Sequence, residues 1–209
     1  MVAGVGSPTG SSRELNRIIS ISDGVFAIVI TILILGIEVP DIPPGRVDSE
    51  LPRQILALGP KFLSYVISFL VVAIYWQAHH RIFSAIKDYD KGLVWLNFLF
   101  LMSVSFLPFP TSLLGEYGEQ QLSVVMYAAN AAISSLLLAV VSWYAMRDQR
   151  LRAGVVDEEA ARTGRIRGLA VPTVFLISIA ISFLSVTAAM YSWMLLFVAE
   201  PVLRRIIPR

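Results

Sequence analysis

Five long stretches with almost no charged residue dominate the pattern of apolar and polar positions along the chain. They cover residues 18–37, 62–78, 92–114, 120–146 and 168–199. Only the first contains a charged residue, Asp23. A helix needs about 20 residues to cross a hydrocarbon core of about 30 Å. Four of the stretches therefore predict one membrane-spanning helix each, and the last has the length of one tilted helix or of two short ones.

The basic residues favour six spans over five. With six spans and a cytoplasmic N-terminus, every Lys and Arg except Arg46, Arg53 and Lys61 lies on a cytoplasmic segment. Five spans would move the arginines of the C-terminal segment outside, which agrees less well with the positive-inside rule. We therefore predict a single all-α domain over 1–209 in the cell membrane, with both termini cytoplasmic. Its six transmembrane helices are predicted at about 17–39, 55–79, 91–114, 120–146, 167–186 and 188–205.

Composition agrees with a membrane protein and excludes several other classes. Of the 209 residues, 56% are hydrophobic and 15% are charged. Soluble domains are about 45–50% apolar and about 25% charged. The chain has no cysteine, which excludes a disulfide scaffold and a Cys-ligated metal. A formal net charge of +2 is too balanced to indicate binding to nucleic acid. No nucleophile and base form a recognisable pair, so we expect no enzyme.

Asp23 is out of place in an apolar helix. An ionised carboxylate there costs about 2.5–3.5 kcal/mol on insertion scales, so its side chain must face protein or water. Arg17 is one possible partner, although residues six apart do not share a helix face. Partners on another helix, such as His79, His80 or Arg81, are at least as plausible.

One stripe of the first helix is defined by its spacing alone. At about 100° per residue, Gly24, Ile28, Thr31 and Leu35 fall on one side of the helix, whereas Asp23 lies off that side. Apolar stripes of this kind usually face lipid or another helix. Periodicity alone favours that interpretation here.

The sequence around Asp23 resembles a family signature. Residues 17–24 (RIISISDG) resemble the R-x-x-x-F-S-D-G motif of the transmembrane protein 175 family, the endolysosomal potassium channels and their prokaryotic relatives. Ile21 replaces the usual Phe, which exchanges one apolar packing residue for another. Further similar stretches are 25–35 (VFAIVITILIL), 75–83 (YWQAHHRIF), Leu96-Asn97 and 106–114 (FLPFPTSLL). A single signature is typical of the prokaryotic form.

The resemblance implies a homotetramer of six-helix subunits in the lipid bilayer, with the first helices lining a central path for monovalent cations. Carried over by position, Ile28 would form the narrowest hydrophobic ring. Thr31 would form a hydroxyl ring one turn further out, and Leu35 a second hydrophobic ring. The signature and its polar network would consist of Arg17, Ser22, Asp23, Gly24, His79, Trp95 and Asn97.

These features together predict a leak-like, potassium-permeable channel that is gated by wetting and drying of the ring at Ile28. The chain has no T-V-G-Y-G run, so we expect limited selectivity over sodium and no cofactor besides the permeant potassium ion. The alternative is a proton-coupled or proton-conducting transporter that uses Asp23 and the histidines at the membrane edge. Adjacent His79 and His80 point about 100° apart on a helix, which favours hydrogen bonding over a metal site.

Overall fold

The computed structural model describes residues 10–148, 150–153 and 158–194, with side chains for 13–148, 150–153 and 168–194. This part of the chain is all-α apart from an isolated β-bridge between Ile86 and Arg152. Its helices are α1 (Gly10–Ile32), α2 (Val47–Ala57), α3 (Gly59–Ser84), α4 (Lys91–Phe106), α5 (Pro108–Glu116), α6 (Gln121–Arg147), α7 (Glu158–Ser182) and α8 (Val186–Ser192). Short 3₁₀ turns follow α1 at Leu33–Gly36 and precede α2 at Pro44–Arg46.

Within the described ranges, four segments are long and apolar enough to cross a membrane. They are Arg13–Gly36, Gly59–Ser84, Lys91–Glu116 and Gln121–Arg147. A shorter apolar stretch, Gly168–Ser182, follows in α7. The C-terminal part of the span predicted at 188–205 lies outside the described residues. The predicted total of six spans therefore stays a prediction.

Two boundaries differ from the sequence expectation. The second spanning helix begins at Gly59, with Pro60 in its first turn, and not at residue 55. Proline is well tolerated there because the first backbone N–H groups of a helix have no partner within the helix. The third span is interrupted at Leu107, where α4 ends and α5 begins with Pro108. The proline ring cannot donate the backbone hydrogen bond that would continue α4.

α6 lies at the centre of the subunit and α1 at its edge. α6 packs against α3, α4, α5, α7 and α8, whereas α1 packs against α3 and α4. In the most apolar window of each span, 56% of the residues of α6 are buried but only 22% of those of α1. One side of α1 is therefore left uncovered by the rest of the described chain.

Candidate functional site

The uncovered side of α1 is the stripe that spacing predicted. Ile28 is 58% exposed and Leu35 is 72% exposed, and Thr31 between them is exposed as well. The opposite side carries Phe26 and Val29, both buried against α3 and α4. The packing of α1 on its own subunit therefore turns the stripe outward.

The Thr31 hydroxyl donates its hydrogen to backbone carbonyl groups of the preceding turn of α1. Its Oγ1 lies 2.8 Å from the carbonyl oxygen of Ile28 and 3.1 Å from that of Ala27. Threonine in a helix forms such bonds to the preceding turn readily. Because the single hydroxyl hydrogen points at the backbone, the oxygen lone pairs remain free to accept on the uncovered side. Thr31 thus presents an acceptor within an otherwise apolar face.

The stripe ends in a 3₁₀ turn, which spacing alone did not predict. The turn covers Leu33–Gly36 and closes with a 3.0 Å hydrogen bond from the backbone N–H of Ile37 to the carbonyl of Ile34. A 3₁₀ helix has about 3.0 residues per turn, so Leu35 is rotated relative to its α-helical position. Its side chain nevertheless stays on the exposed surface, while Leu33 is buried.

Three buried polar side chains connect the middle of α1 to α4 and α3. The Asn97 Nδ2 group donates to Ser22 Oγ at 3.0 Å, and Ser22 Oγ donates to the Ile18 carbonyl at 2.9 Å. Asn97 Oδ1 lies 2.9 Å from His79 Nε2. An amide oxygen can only accept, so His79 donates from Nε2. We call Ser22, Asn97 and His79 the buried triad.

Aromatic rings fix the imidazole of His79 within this triad. The ring of Phe83 stacks on it at 4.2 Å between centroids, and that of Phe100 lies at 5.9 Å. Phe26 of α1 meets the imidazole edge-on at 5.6 Å. The histidine is therefore held in one orientation, with its Nε2 toward Asn97.

The partner of Asp23 is an indole. Trp76 Nε1 of α3 donates to Asp23 Oδ1 at 2.9 Å, and the Trp76 ring stacks on His80 at 5.8 Å. The partners suggested from the sequence, Arg17 and the basic residues 79–81, do not bond to this carboxylate. The signal that could have identified Trp76 is its position on α3, one turn before His80, with a donor-only N–H.

The remaining residues of the predicted polar network lie apart from the triad. Arg17 is exposed and makes no hydrogen bond or ion pair with any residue whose side chain is described. Trp95 is 69% exposed and its ring meets only the edge of Phe98, at 6.3 Å, among the aromatic contacts seen. Gly24 is exposed, and a Cβ built on it meets nothing within 4 Å. Packing within one subunit thus does not require glycine at position 24.

An open apolar groove runs along one side of the stripe, between α1 and the junction of α4 with α5. Its volume is about 440 Å³. The residues that line it are Val25, Ile28, Val29, Ile32, Ser105, Phe106, Pro108 and Phe109. In the part of the chain that the structure describes, no group of three or more His, Cys, Asp or Glu side chains is placed to hold a metal ion.

Four apolar segments of spanning length are typical of a helical membrane protein, and the uncovered stripe on α1 carries a hydroxyl acceptor. The family model of the endosomal/lysosomal potassium channel TMEM175 matches residues 17–108. A potassium channel of Streptomyces collinus is 38% identical over 160 residues, which are 74% of this chain and 76% of that relative. The chain belongs to the TMEM175 family, which confirms the resemblance seen in its signature.

Solved structures agree with this assignment. A lysosomal potassium-selective channel TMEM175 homolog from Chamaesiphon minutus superposes with a TM-score of 0.77 at 30% identity, over 91% of this chain and 97% of that chain. The endosomal/lysosomal proton channel TMEM175 of Danio rerio is 30% identical over 135 residues, which are 64% of this chain and 25% of that relative. Family membership supports a channel function in a membrane and not an enzymatic one.

Proposed function

We propose that four copies of the chain form a potassium-permeable, leak-like cation channel whose path is lined by α1. The observation that carries this proposal is the uncovered stripe Ile28, Thr31 and Leu35 on a helix whose other side is packed. A hydroxyl oxygen with free lone pairs gains nothing from lipid tails, whereas a permeating cation uses it directly. Relatives named potassium channels support the choice of ion.

The three rings of this path have different tasks. Four Ile28 side chains around an axis form a dry constriction, which conducts only when it widens or becomes wet. The Thr31 oxygens replace part of the hydration shell that a cation loses there. A single hydroxyl ring gives modest discrimination between potassium and sodium, because it lacks the successive carbonyl layers of a T-V-G-Y-G filter. Leu35 forms a second apolar ring toward the outside.

Two features of the subunit surface suit this assembly. The apolar groove beside Ile28 offers a surface onto which a neighbouring copy of α1 can pack. Gly24 has open space around it, and small residues allow helix backbones in a membrane to approach closely. In the proposed channel each subunit has the six spans predicted from the sequence, and α7 belongs to the fifth. Both termini face the cytoplasm, so the Arg17 end of α1 is the inner mouth.

The buried triad and the Asp23–Trp76 bond set the rotation of α1 about its own axis. Both connect α1 to neighbouring helices: Ser22 lies on the side away from the stripe, and Asp23 lies beside it. Apolar packing alone tolerates small rotations, whereas a hydrogen bond loses most of its strength when its angle or distance changes. Fixed polar contacts therefore keep Ile28 and Thr31 directed at the ion path.

The decisive experiment compares two threonines that differ only in location. Thr173 on α7 is exposed and bonds to the carbonyl of Leu169 at 2.7 Å, as Thr31 bonds to its own preceding turn. In currents from reconstituted bilayers, Thr31→Ala changes the permeability ratio of potassium to sodium and Thr173→Ala does not. An unchanged ratio in Thr31→Ala would refute the role of α1 as the lining of the path.

Proton conduction is the second candidate function, favoured by the names of the animal relatives. Asp23 would carry the proton, because its only bonded partner among the described side chains is the neutral indole of Trp76. A pH gradient across vesicles without potassium tests this function. If protons pass through Asp23, Asp23→Asn abolishes their flux; a flux that persists in Asp23→Asn excludes that route.

A further inference from the structure

We infer that Gly36 is a positioning residue: because it has no side chain, the 3₁₀ turn can lie close to Ser112 of α5, and this close approach sets the width of the path at Leu35. The inference rests on the proposed function, since it assumes that α1 lines the path. It concerns the contact between the 3₁₀ turn Leu33–Gly36 and α5, at the end of the path away from the triad. Neither residue belongs to the stripe or to the polar network.

Gly36 is needed for space and not for its backbone conformation. None of the glycines in the described ranges has a positive φ, so an alanine at position 36 would be conformationally acceptable. A Cβ built on Gly36 would instead lie 2.5 Å from Ser112 Oγ and 3.5 Å from Ser112 Cβ. Non-bonded heavy atoms prefer about 3.5–4.0 Å, so a Cβ at position 36 requires either that the Ser112 hydroxyl rotates away or that the turn moves.

α5 cannot easily be the element that moves. Thr111 Oγ1 donates to Ser68 Oγ of α3 at 2.8 Å, and Lys61 Nζ pairs with Glu116 at 2.5 Å. At Gly115 the two helices approach so closely that a Cβ would lie 3.1 Å from the Cα of Lys61. α5 is thus fastened to α3 along its length and forms a fixed wall for the turn.

The junction has no spare room for an added methyl group. The cavity between the turn, α3 and α5 has a volume of about 10 Å³. Leu33 is buried toward this junction, whereas Leu35 is exposed on the uncovered side. So small a cavity leaves the Ser112 hydroxyl little space to rotate into, so in the inferred arrangement a methyl group at position 36 displaces the turn away from α5 and toward the axis. Restoring an ordinary contact takes about 1 Å in each subunit, which narrows the ring of Leu35 side chains by about 2 Å.

The test uses a pair of complementary substitutions in the full-length channel, with single-channel conductance as the measurement. Gly36→Ala lowers the conductance about two- to fivefold, because a narrower apolar ring wets less readily. Ser112→Ala alone leaves it unchanged. Gly36→Ala with Ser112→Ala restores it, since removal of the hydroxyl leaves only the 3.5 Å contact between methyl carbons.

Two further readings distinguish positioning from simple destabilisation and from failure of the pore proposal. If the double variant regains thermal stability but not conductance, the contact between position 36 and Ser112 governs folding and not the width of the path, and the inference is wrong. It is also wrong if Gly36→Ala conducts like the parent while Thr31→Ala changes the permeability ratio. If Thr31→Ala also leaves the permeability ratio unchanged, the proposed pore is wrong, and so is the inference that rests on it.

Discussion

Replacing Asn97 removes the centre of the buried triad and tests whether polar contacts orient α1. Asn97→Ala breaks the 3.0 Å bond to Ser22 and the 2.9 Å bond to His79 at once. Hydrogen bonds between membrane helices contribute about 0.6 kcal/mol on average and up to about 1.7 kcal/mol. His79 is only 1% exposed, so its Nε2 N–H is left without a partner in the protein interior.

These contributions give the loss of unfolding free energy expected for each variant. Two average bonds amount to about 1.2 kcal/mol, and the unpaired imidazole N–H brings the loss in Asn97→Ala to about 2 kcal/mol. Ser22→Ala loses two bonds, the one from Asn97 and the one to the Ile18 carbonyl, and is destabilised by about 1 kcal/mol. Ser22→Ala lowers the unfolding free energy less in the Asn97→Ala variant than in the parent, because the bond between the two residues is already absent. The coupling free energy between the two sites is therefore about 0.6 kcal/mol.

The assay combines unfolding free energies in mixed micelles with currents normalised to folded channel. Asn130→Ala is the matched control, because buried Asn130 of α6 donates to the carbonyl of Ser103 on α4 at 3.0 Å, a bond that does not involve α1. Asn97→Ala lowers both stability and the potassium-to-sodium permeability ratio, whereas Asn130→Ala lowers stability alone. A coupling energy of zero between Ser22 and Asn97, or equal permeability in both asparagine variants, would refute the reasoning.

Three further outcomes follow from the same structure. Ile28→Ala widens the constriction and raises potassium flux into vesicles, whereas Ile133→Ala on the exposed surface of α6 leaves the flux at the parent level; equal fluxes would contradict a constriction at Ile28. Trp76→Phe keeps an aromatic ring but removes the donor to the α1 carboxylate, and lowers thermal stability by the equivalent of about 1 kcal/mol; an unchanged melting temperature would show that the bond contributes nothing. Glu116→Gln weakens the pair with Lys61 and costs about 0.2–1 kcal/mol, a loss that high salt removes if the pair is partly screened by solvent.

The spans and the stripe could be predicted because both depend on local sequence. A charge-free stretch of about 20 residues indicates a spanning helix whatever its neighbours are. The spacing of Ile28, Thr31 and Leu35 places them on one side of any α-helix. Spacing could not say whether that side is covered, because this depends on how Phe26 and Val29 pack against α3 and α4.

The partner of Asp23 could not be predicted because it depends on the relative rotation of two helices. Trp76 lies 53 residues further along the chain, next to basic side chains that seemed better partners by charge. The rotation of α3 that places the buried triad directs the Trp76 indole at Asp23 and stacks it on His80. Charge alone was therefore the wrong criterion, and donor geometry decided the pairing.

The 3₁₀ turn after α1 likewise could not be predicted from the spacing of apolar residues. Nothing in the run from Leu33 to Ile37 distinguishes an α-helical ending from a tighter one. The tight turn is compatible with the close approach of Gly36 to α5, a contact between segments far apart in sequence. By contrast, Gly59-Pro60 is a local sequence signal for a helix start, and it coincides with the observed beginning of α3.

The uncovered side of α1 has a consequence for how such a protein can change. Ile28 and Leu35 are exposed in the isolated subunit, so substituting them removes few contacts from its fold. Helices α3 to α6, which hold the core, need not adjust when the stripe changes. In the proposed channel, conduction properties can therefore diverge between related chains by a few replacements on α1, while the other helices keep the same fold.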